Sequence, residues 1–298
     1  MEYKLDKERS LKENINEIFN EEISGCISAL KELDIHLAVH DIRKRLKKLR
    51  AMARLFRDEM GEEEYKSLNI KFRDLGREIS DIRDFTAYLE TLERLKLRYG
   101  KYLYKSFFNS VEKKLLDERK NMTEELIRQD FFSGHLMSEF ENISNDIKQW
   151  PVRSNNIDII LPSIERVYQR GNDAMKVSFE NPTTENFHEW RKRVKYLWYQ
   201  LLLLQDTWPQ FFETLEAEVH LLADFLGDDH DLMLFMNKVL SEDFHLKDEE
   251  QKEMFEALIA EFSDQLRKDA EIKGKLIYAE SPEDFRNRIG KYTQVNWN

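Results

Sequence analysis

The chain has 298 residues, of which 41% are apolar and 35% charged, with only 9 Gly and 5 Pro. This length supports one large domain or two ordinary ones, and so few turn-forming residues predict long helices. The single cysteine, Cys26, excludes an intrachain disulfide and fits a reducing compartment. The charged N-terminal residues carry no signal-peptide pattern, and the longest apolar stretch, at 201–204, is too short to span a membrane. We therefore expect a cytoplasmic protein with no membrane contact.

Helical periodicity runs along the whole chain, and no alternating apolar pattern predicts a strand. The predicted helices cover residues 5–33, 35–60, 62–79, a long helix from 81 that Gly100 interrupts, and 121–132. Asp34 is predicted to cap the second helix, and Gly61 is predicted to end it. Segment 135–161, which contains Trp150-Pro151, is predicted to be less regular and to connect two halves.

A basic segment occurs twice. Residues 40–49 read HDIRKRLKKL, and residues 188–197 read HEWRKRVKYL. Residues 75–84 align with 222–231, and residues 24–26 correspond to 170–172, so three anchors recur in the same order. The sequence thus predicts a first helical repeat at 1–134, a junction at 135–160, a second repeat at 161–280 and a C-terminal tail at 281–298.

The charge is partitioned between these segments and the rest of the chain. The net charge is −11, yet residues 40–57 carry eight Lys/Arg against one Asp, and residues 188–195 carry four against one Glu. Everything else therefore carries about −21. An acidic body with two basic helices indicates an anionic ligand that binds at the helices.

Each basic segment forms a stripe, because helix positions 0, 3, 4 and 7 share one face. The stripes are His40, Arg43, Lys44 and Lys47, extended by Arg50 and Arg54, and His188, Arg191, Lys192 and Lys195. Such a stripe repels itself and presents a cationic row roughly every 5–6 Å. This spacing suits a chain with closely repeated phosphates, which Arg contacts in bidentate fashion and Lys as a point charge.

The acidic segment at 228–231 could suggest a metal site. No ligand pair at the spacing of HExxH accompanies it, so we interpret it as a helix cap with a salt bridge to a neighbouring Arg. No metal, cofactor or catalytic residue is predicted.

The paired motif resembles the CHAD family, the conserved-histidine α-helical domain. The resemblance lies in two His-x-x-Arg-Lys-Arg-x-Lys segments, each followed about 43 residues later by a short element that ends in Asp84 or Asp231. It covers residues 5–277 of what resembles a stand-alone member. It implies an all-α fold of two pseudo-symmetric four-helix-bundle-like halves, with long antiparallel helices around a central basic groove or pore.

The resemblance further implies non-catalytic binding of inorganic polyphosphate, and it allows association with polyphosphate granules. The implied ligands are the stripe residues together with Lys48, Arg77 and Arg83. Asp224 and His230 stand where the first repeat has Arg77 and Arg83, and Tyr196 and Trp198 stand where more basic character is usual. The first half is therefore expected to carry most of the affinity.

Three other functions stay open. RNA or another polyanion would also be attracted to basic stripes, although these stripes lack interleaved aromatics for base stacking, and the acidic body disfavours nucleic acid. A phosphotransferase or hydrolase would need a Gly-rich phosphate loop or a metal triad, and we find neither. A helical scaffold for protein partners could use the aromatic residues of segment 94–120, whose spacing is also typical of a core.

Overall fold

The computed structural model describes residues 3–128, 131–146, 152, 154–241, 244 and 248–297. These residues form helices and connecting turns without a strand, which confirms the predicted all-α class. The helices are α1 (Leu11–Glu32), α2 (Ile35–Leu55), α3 (Arg57–Met60), α4 (Glu62–Glu78), α5 (Ser80–Tyr99), α6 (Lys105–Arg128), α7 (Phe131–Asp146), α8 (Leu161–Glu180), α9 (Thr184–Leu203), α10 (Pro209–Leu240), α11 (Glu249–Ile277) and α12 (Pro282–Asn296). Two short 3-10 helices, Ile157–Ile160 and Gln205–Thr207, precede α8 and α10.

Polar side chains fix where several helices begin. The Ser10 side chain accepts from the backbone N–H of Glu13, and the Glu13 carboxylate accepts from Ser10 N–H, which is a capping box. Asp34 caps α2 by accepting from two backbone N–H groups, as predicted. Thr183 caps α9 in the same way through Asn186 N–H. Both basic segments therefore start from a defined helical phase.

Three predicted boundaries are wrong. The first helix begins at Leu11, after its cap Ser10, and not at residue 5. The helix predicted at 35–60 is interrupted at Phe56, whose φ of −98° and ψ of 15° leave the helical region before the short α3. No helix begins at residue 121, because α6 is continuous from Lys105 to Arg128 after a brief turn that follows Gly100.

Segment 135–161, predicted to be less regular, is helical over most of its first half. Helix α7 runs from Phe131 to Asp146, and Leu136, Phe140 and Ile143 are buried along one face of it. Their spacing of four and three residues places them on one face of the helix, and α7 packs against α1. Trp150 and Pro151 lie outside the described residues.

Apolar side chains from both sequence repeats share the core. One cluster contains residues of α1, α2, α4 and α7 together with residues of α8, α9, α12 and the first part of α10. A second joins α5 and α6 to the later part of α10 and to α11. Between the repeats, α2 packs on α9 and α5 packs on α10. The finer picture of two pseudo-symmetric halves around a central groove stays a prediction, as do the domain boundaries.

The last predicted segment, the tail at 281–298, contains an ordered helix. Ser281 caps α12, and Phe285 stacks on Tyr168 of α8 with ring centroids 4.1 Å apart. Helix α12 therefore contributes to the core.

Replacing Gly274 with Ala is expected to destabilise the fold. A Cβ there would lie 2.7 Å from both Met175 Sδ and Trp190 Cζ2, and Trp190 is fully buried. Overpacking of this kind costs roughly 1–3 kcal/mol, more than the ~1 kcal/mol that Ala gains over Gly within a helix. Urea unfolding of Gly274→Ala measures the loss. In the matched control Gly134→Ala, no atom of the described residues lies within 4 Å of the added carbon, so stability should rise slightly. A Gly274→Ala protein as stable as the control would contradict this packing.

Candidate anion-binding site

The two basic helices meet at one cavity. Helix α2 buries Ile42, Leu46 and Leu49, and α9 buries Trp190 and Val194, so each helix turns its basic stripe away from the core. Where α2 contacts α9, the stripes face a cavity of about 710 Å³. The packing of the apolar faces therefore brings residues about 148 positions apart in sequence to one site.

The cavity is strongly cationic. Two acidic residues, Asp84 and Asp231, line it. The Lys and Arg residues that line it are Arg43, Lys44, Lys47, Lys48, Arg83, Arg191 and Lys195. The formal charge of this lining is thus +5, in a protein whose net charge is −11.

Two of these seven cations are already neutralised. Lys48 Nζ lies 2.7 Å from the carboxylate of the buried Glu22, and one Arg83 Nη donates to Glu90 at 2.9 Å. The first pair holds Lys48 against α1, and the second links Arg83 to another residue of α5. Both pairs reduce the positive charge available to a ligand.

The other five have no carboxylate partner in the described part of the chain. No Asp or Glu oxygen there lies within 4.0 Å of the charged nitrogens of Arg43, Lys44, Lys47, Arg191 or Lys195. Arg43 donates only to the backbone carbonyl of Gly76, at 2.7 Å, and the buried Arg191 Nε finds no acceptor among the described atoms. Unpaired cations at such density are costly unless an anion enters.

The pKa values of the two facing lysines reflect this crowding. Burial, and then repulsion from Lys195 and Arg191, holds the pKa of Lys47 well below its usual value. Burial and Arg191 lower the pKa of Lys195 from 10.5 to about 8, although Asp224 and Asp231 oppose the shift. An anion bound between these amines would favour their charged forms, so its binding should take up protons near pH 8.

The depressed pKa of Lys195 predicts how the stability of the unliganded protein changes with pH. Between its folded pKa of about 8 and its usual 10.5, the unfolded chain binds more protons at this residue. The free energy of unfolding should therefore rise with pH across this window, by an amount on the order of 1–3 kcal/mol at most. Urea unfolding at several pH values measures it. The Lys195→Met variant should show a smaller rise, to which Lys47 still contributes, and should be the more stable protein at pH 7; identical pH profiles would contradict the shift.

Three histidines at the site are held neutral. His40 lines the cavity, and burial together with Arg83 lowers its pKa. The rings of His188 and His230 are in contact, with centroids 4.3 Å apart and planes at 35°, and the Nδ1 of each has no partner among the described atoms. Burial and then Arg191 lower the pKa of His188, and they lower that of His230 to about 3. Neutral imidazoles can each donate one N–H to an anion.

The family model of the CHAD domain matches residues 23–238. The chain belongs to the CHAD domain family. No curated protein matches this chain. The matched residues include α2, α5 and α9, which supply all seven cations of the cavity. No helix of the described residues is both long and apolar enough to cross a membrane.

Eight of the residues predicted as ligands line the cavity of this CHAD domain. They are His40, Arg43, Lys44, Lys47, Lys48, Arg83, Arg191 and Lys195. Lys44 and His40 are exposed, while Lys47 and Lys195 are partly buried. The two repeats therefore contribute unequally by number, and their individual roles stay predictions.

The other five predicted ligands lie outside the lining. Arg50 and Arg54 are at the end of α2, where Tyr196 of α9 occupies the space beside them. Arg54 Cζ lies 3.7 Å above the Tyr196 ring, and Arg50 donates to Asn69 at 3.1 Å. Arg77 has 71% of its side chain exposed. His188 lies behind His230, and Lys192 pairs with Glu189.

The lining also contains residues that were not predicted as ligands. Asp84 and Asp231 occupy equivalent positions in the sequence repeat, so the repeat gave a signal for them. Tyr3 had no such signal and lies outside the residues matched by the CHAD model. Two hydrogen bonds hold Tyr3 at the cavity. Its O–H donates to the Lys48 carbonyl at 2.7 Å, and the N–H of the nearby Leu5 donates to the Leu203 carbonyl at 2.8 Å.

The acidic segment of the CHAD domain, residues 228–231, is part of helix α10. Asp228 pairs with Arg94 of α5, and Asp229 pairs with Arg267 of α11, where both carboxylate oxygens lie 3.1 Å from Nε. The predicted salt bridge to Arg is confirmed. The predicted helix cap is wrong, because α10 continues through this segment. The described residues contain no cluster of three or more side chains that could hold a metal ion.

Proposed function

We propose that this CHAD domain binds inorganic polyphosphate in the cavity between α2 and α9 without catalysing its turnover. The observation that supports this most directly is the set of five cations with no carboxylate partner in the described chain. They come from two helices and face one cavity. A polyphosphate chain carries a negative charge on every phosphate and can contact both helices at once. Binding would replace repulsion between the cations by charge-assisted hydrogen bonds.

The charge distribution favours a thin anion over a wide one. The whole chain has a net charge of −11, whereas the cavity lining has +5. Long-range repulsion from the acidic surface acts on any polyanion, and a duplex or folded RNA presents more surface to it than an unbranched phosphate chain does. We therefore favour polyphosphate over nucleic acid as the partner. A cytoplasmic protein of this kind would also be expected at polyphosphate granules.

Calorimetric titration with long-chain polyphosphate tests this function directly. Binding should be tight and should weaken steeply between low and high salt, because it releases counterions. An excess of double-stranded RNA should not displace the polyphosphate, because the acidic surface repels a wide duplex. Equal displacement by RNA would indicate a general polyanion binder, and no binding at either salt concentration would leave a helical scaffold as the better hypothesis.

Incubation with polyphosphate tests the absence of turnover. Chain length should remain unchanged on a gel, and no free phosphate should appear. Phosphate release, or a stable phosphate label on His40 or His188, would contradict the proposal and favour the enzyme hypothesis.

A further inference from the structure

Three aromatic rings form a stack in the wall of the cavity. Tyr199 and Trp198 of α9 stack with centroids 4.6 Å apart and planes at 30°. Trp198 stacks in turn on His220 of α10, with centroids 4.0 Å apart and planes at 11°. All three residues line the cavity. The sequence does not suggest this stack, because its members lie on two helices and one of them is a histidine.

The stack ends at His220. Trp198 covers one face of the imidazole, no other described ring contacts it, and 44% of the side chain is exposed. Tyr199 and Trp198 are buried, at 3% and 9% exposure, so the position of the stack is fixed by the core. Asp224 lies 3.6 Å from His220 Nε2 and restrains the ring further. An aromatic ring that is held in place and has one face uncovered can stack with another flat ring.

The middle ring of the stack, Trp198, lies close to a cation of the cavity. Lys195 Nζ is 5.8 Å from the centroid of the Trp198 ring. Arg191 helps to lower the pKa of both Lys195 and Lys47, so these three unpaired cations lie close together. The site thus combines a flat apolar surface with adjoining phosphate-binding groups.

We infer that the cavity also binds nucleoside polyphosphates, with the base stacked on His220 and the phosphates on Lys195, Arg191 and Lys47. A volume of about 710 Å³ is within the range of small-molecule sites. The inference rests on the proposed function, because the phosphate end uses the same cations. The inference goes beyond that function, because it predicts that the site binds a phosphate chain carrying a nucleobase more tightly than an inorganic phosphate chain.

The deciding comparison is ATP against inorganic triphosphate. Both have three phosphates, and the inorganic ion carries more negative charge, so electrostatics alone favours it. Base stacking contributes about 1–3 kcal/mol, which corresponds to roughly 5- to 150-fold in affinity. We expect ATP to bind at least ~5-fold more tightly than inorganic triphosphate in calorimetric titrations of the full chain at equal ionic strength.

Variants of His220 assign that advantage to the stack. His220→Ala should remove the preference for ATP while it leaves the affinity for inorganic triphosphate unchanged, and His220→Phe should retain the preference. The control His36→Ala changes a histidine outside the cavity lining and should affect neither ligand. If ATP binds no better than inorganic triphosphate, or if His220→Ala retains the preference, the inference is wrong.

The outcomes also separate this inference from the proposed function. Binding of long-chain polyphosphate and triphosphate without an ATP preference would overturn only the inference. Failure of all inorganic phosphates to bind would overturn the proposed function, whatever ATP does.

Discussion

Lys47→Glu is expected to raise the stability of the unliganded protein and to weaken polyphosphate binding. Lys47 is opposed by Lys195, Arg191 and Arg43, and burial adds to the cost of its charge. A glutamate there would replace this repulsion with attraction. Such partly exposed pairs contribute about 0.2–1 kcal/mol, so the melting temperature should rise by about 2 °C at most. The same change removes a phosphate donor and adds a negative charge, which should cost about 2 kcal/mol or more, roughly 30-fold in affinity.

The opposite signs of these two effects are diagnostic. Thermal unfolding without ligand and calorimetric titration with polyphosphate measure them on the same preparations. Lys176→Glu is the matched control, since it makes the same charge change at an exposed position of α8 outside the cavity. The control should alter both quantities only slightly. A Lys47→Glu protein that unfolds more readily than wild type would show that Lys47 supports the fold, and unchanged affinity would place the ligand elsewhere.

Long-chain polyphosphate is expected to raise the melting temperature of the wild-type protein by several degrees. A ligand that binds only the folded state at about 100 times its Kd adds about 2.7 kcal/mol to the free energy of unfolding. For a chain of 298 residues, that corresponds to roughly 4 °C. The shift should grow with the logarithm of ligand concentration and shrink with added salt, because the cations that repel one another are those that bind the phosphates.

Differential scanning fluorimetry with polyphosphate, at matched ionic strength, measures this shift. Sodium sulfate at the same ionic strength is the ligand control, because it supplies anions without a chain. The Lys47→Glu variant should show a much smaller shift with polyphosphate. A wild-type melting temperature that does not change at saturating polyphosphate would contradict binding to the folded state.

Much of the helical structure could be predicted from the sequence because helix periodicity and caps are local. Asp34 caps α2 as expected, and the apolar phase of α2 and α9 fixes which residues are buried. The repeat at offset 148 predicts both basic helices from the sequence alone. The break at Phe56 and helix α7 were missed, because neither has a strong local signal: no Gly or Pro marks Phe56, and Gly134 lies within the helix.

The composition of the site was predictable only in part. Stripe positions on one helix face follow from 3.6 residues per turn, which is why eight predicted ligands reach the cavity. Which cations are already neutralised depends on neighbours distant in sequence. Lys48 pairs with Glu22 of α1, whereas Arg50 and Arg54 contact Tyr196 of α9. Helical periodicity carries no information about such partners.

The sequence by itself therefore determined the all-α class, the two basic helices and the phase with which each presents its charges. Only the tertiary structure decided that these charges face a single cavity, that five of them have no carboxylate partner among the described residues, and that Trp198 and His220 form its aromatic wall. The physical reason is the sequence separation of the interacting residues. Helix phase is set by hydrogen bonds four residues apart, whereas ion pairing and ring stacking depend on the packing of helices whose residues are distant in the chain.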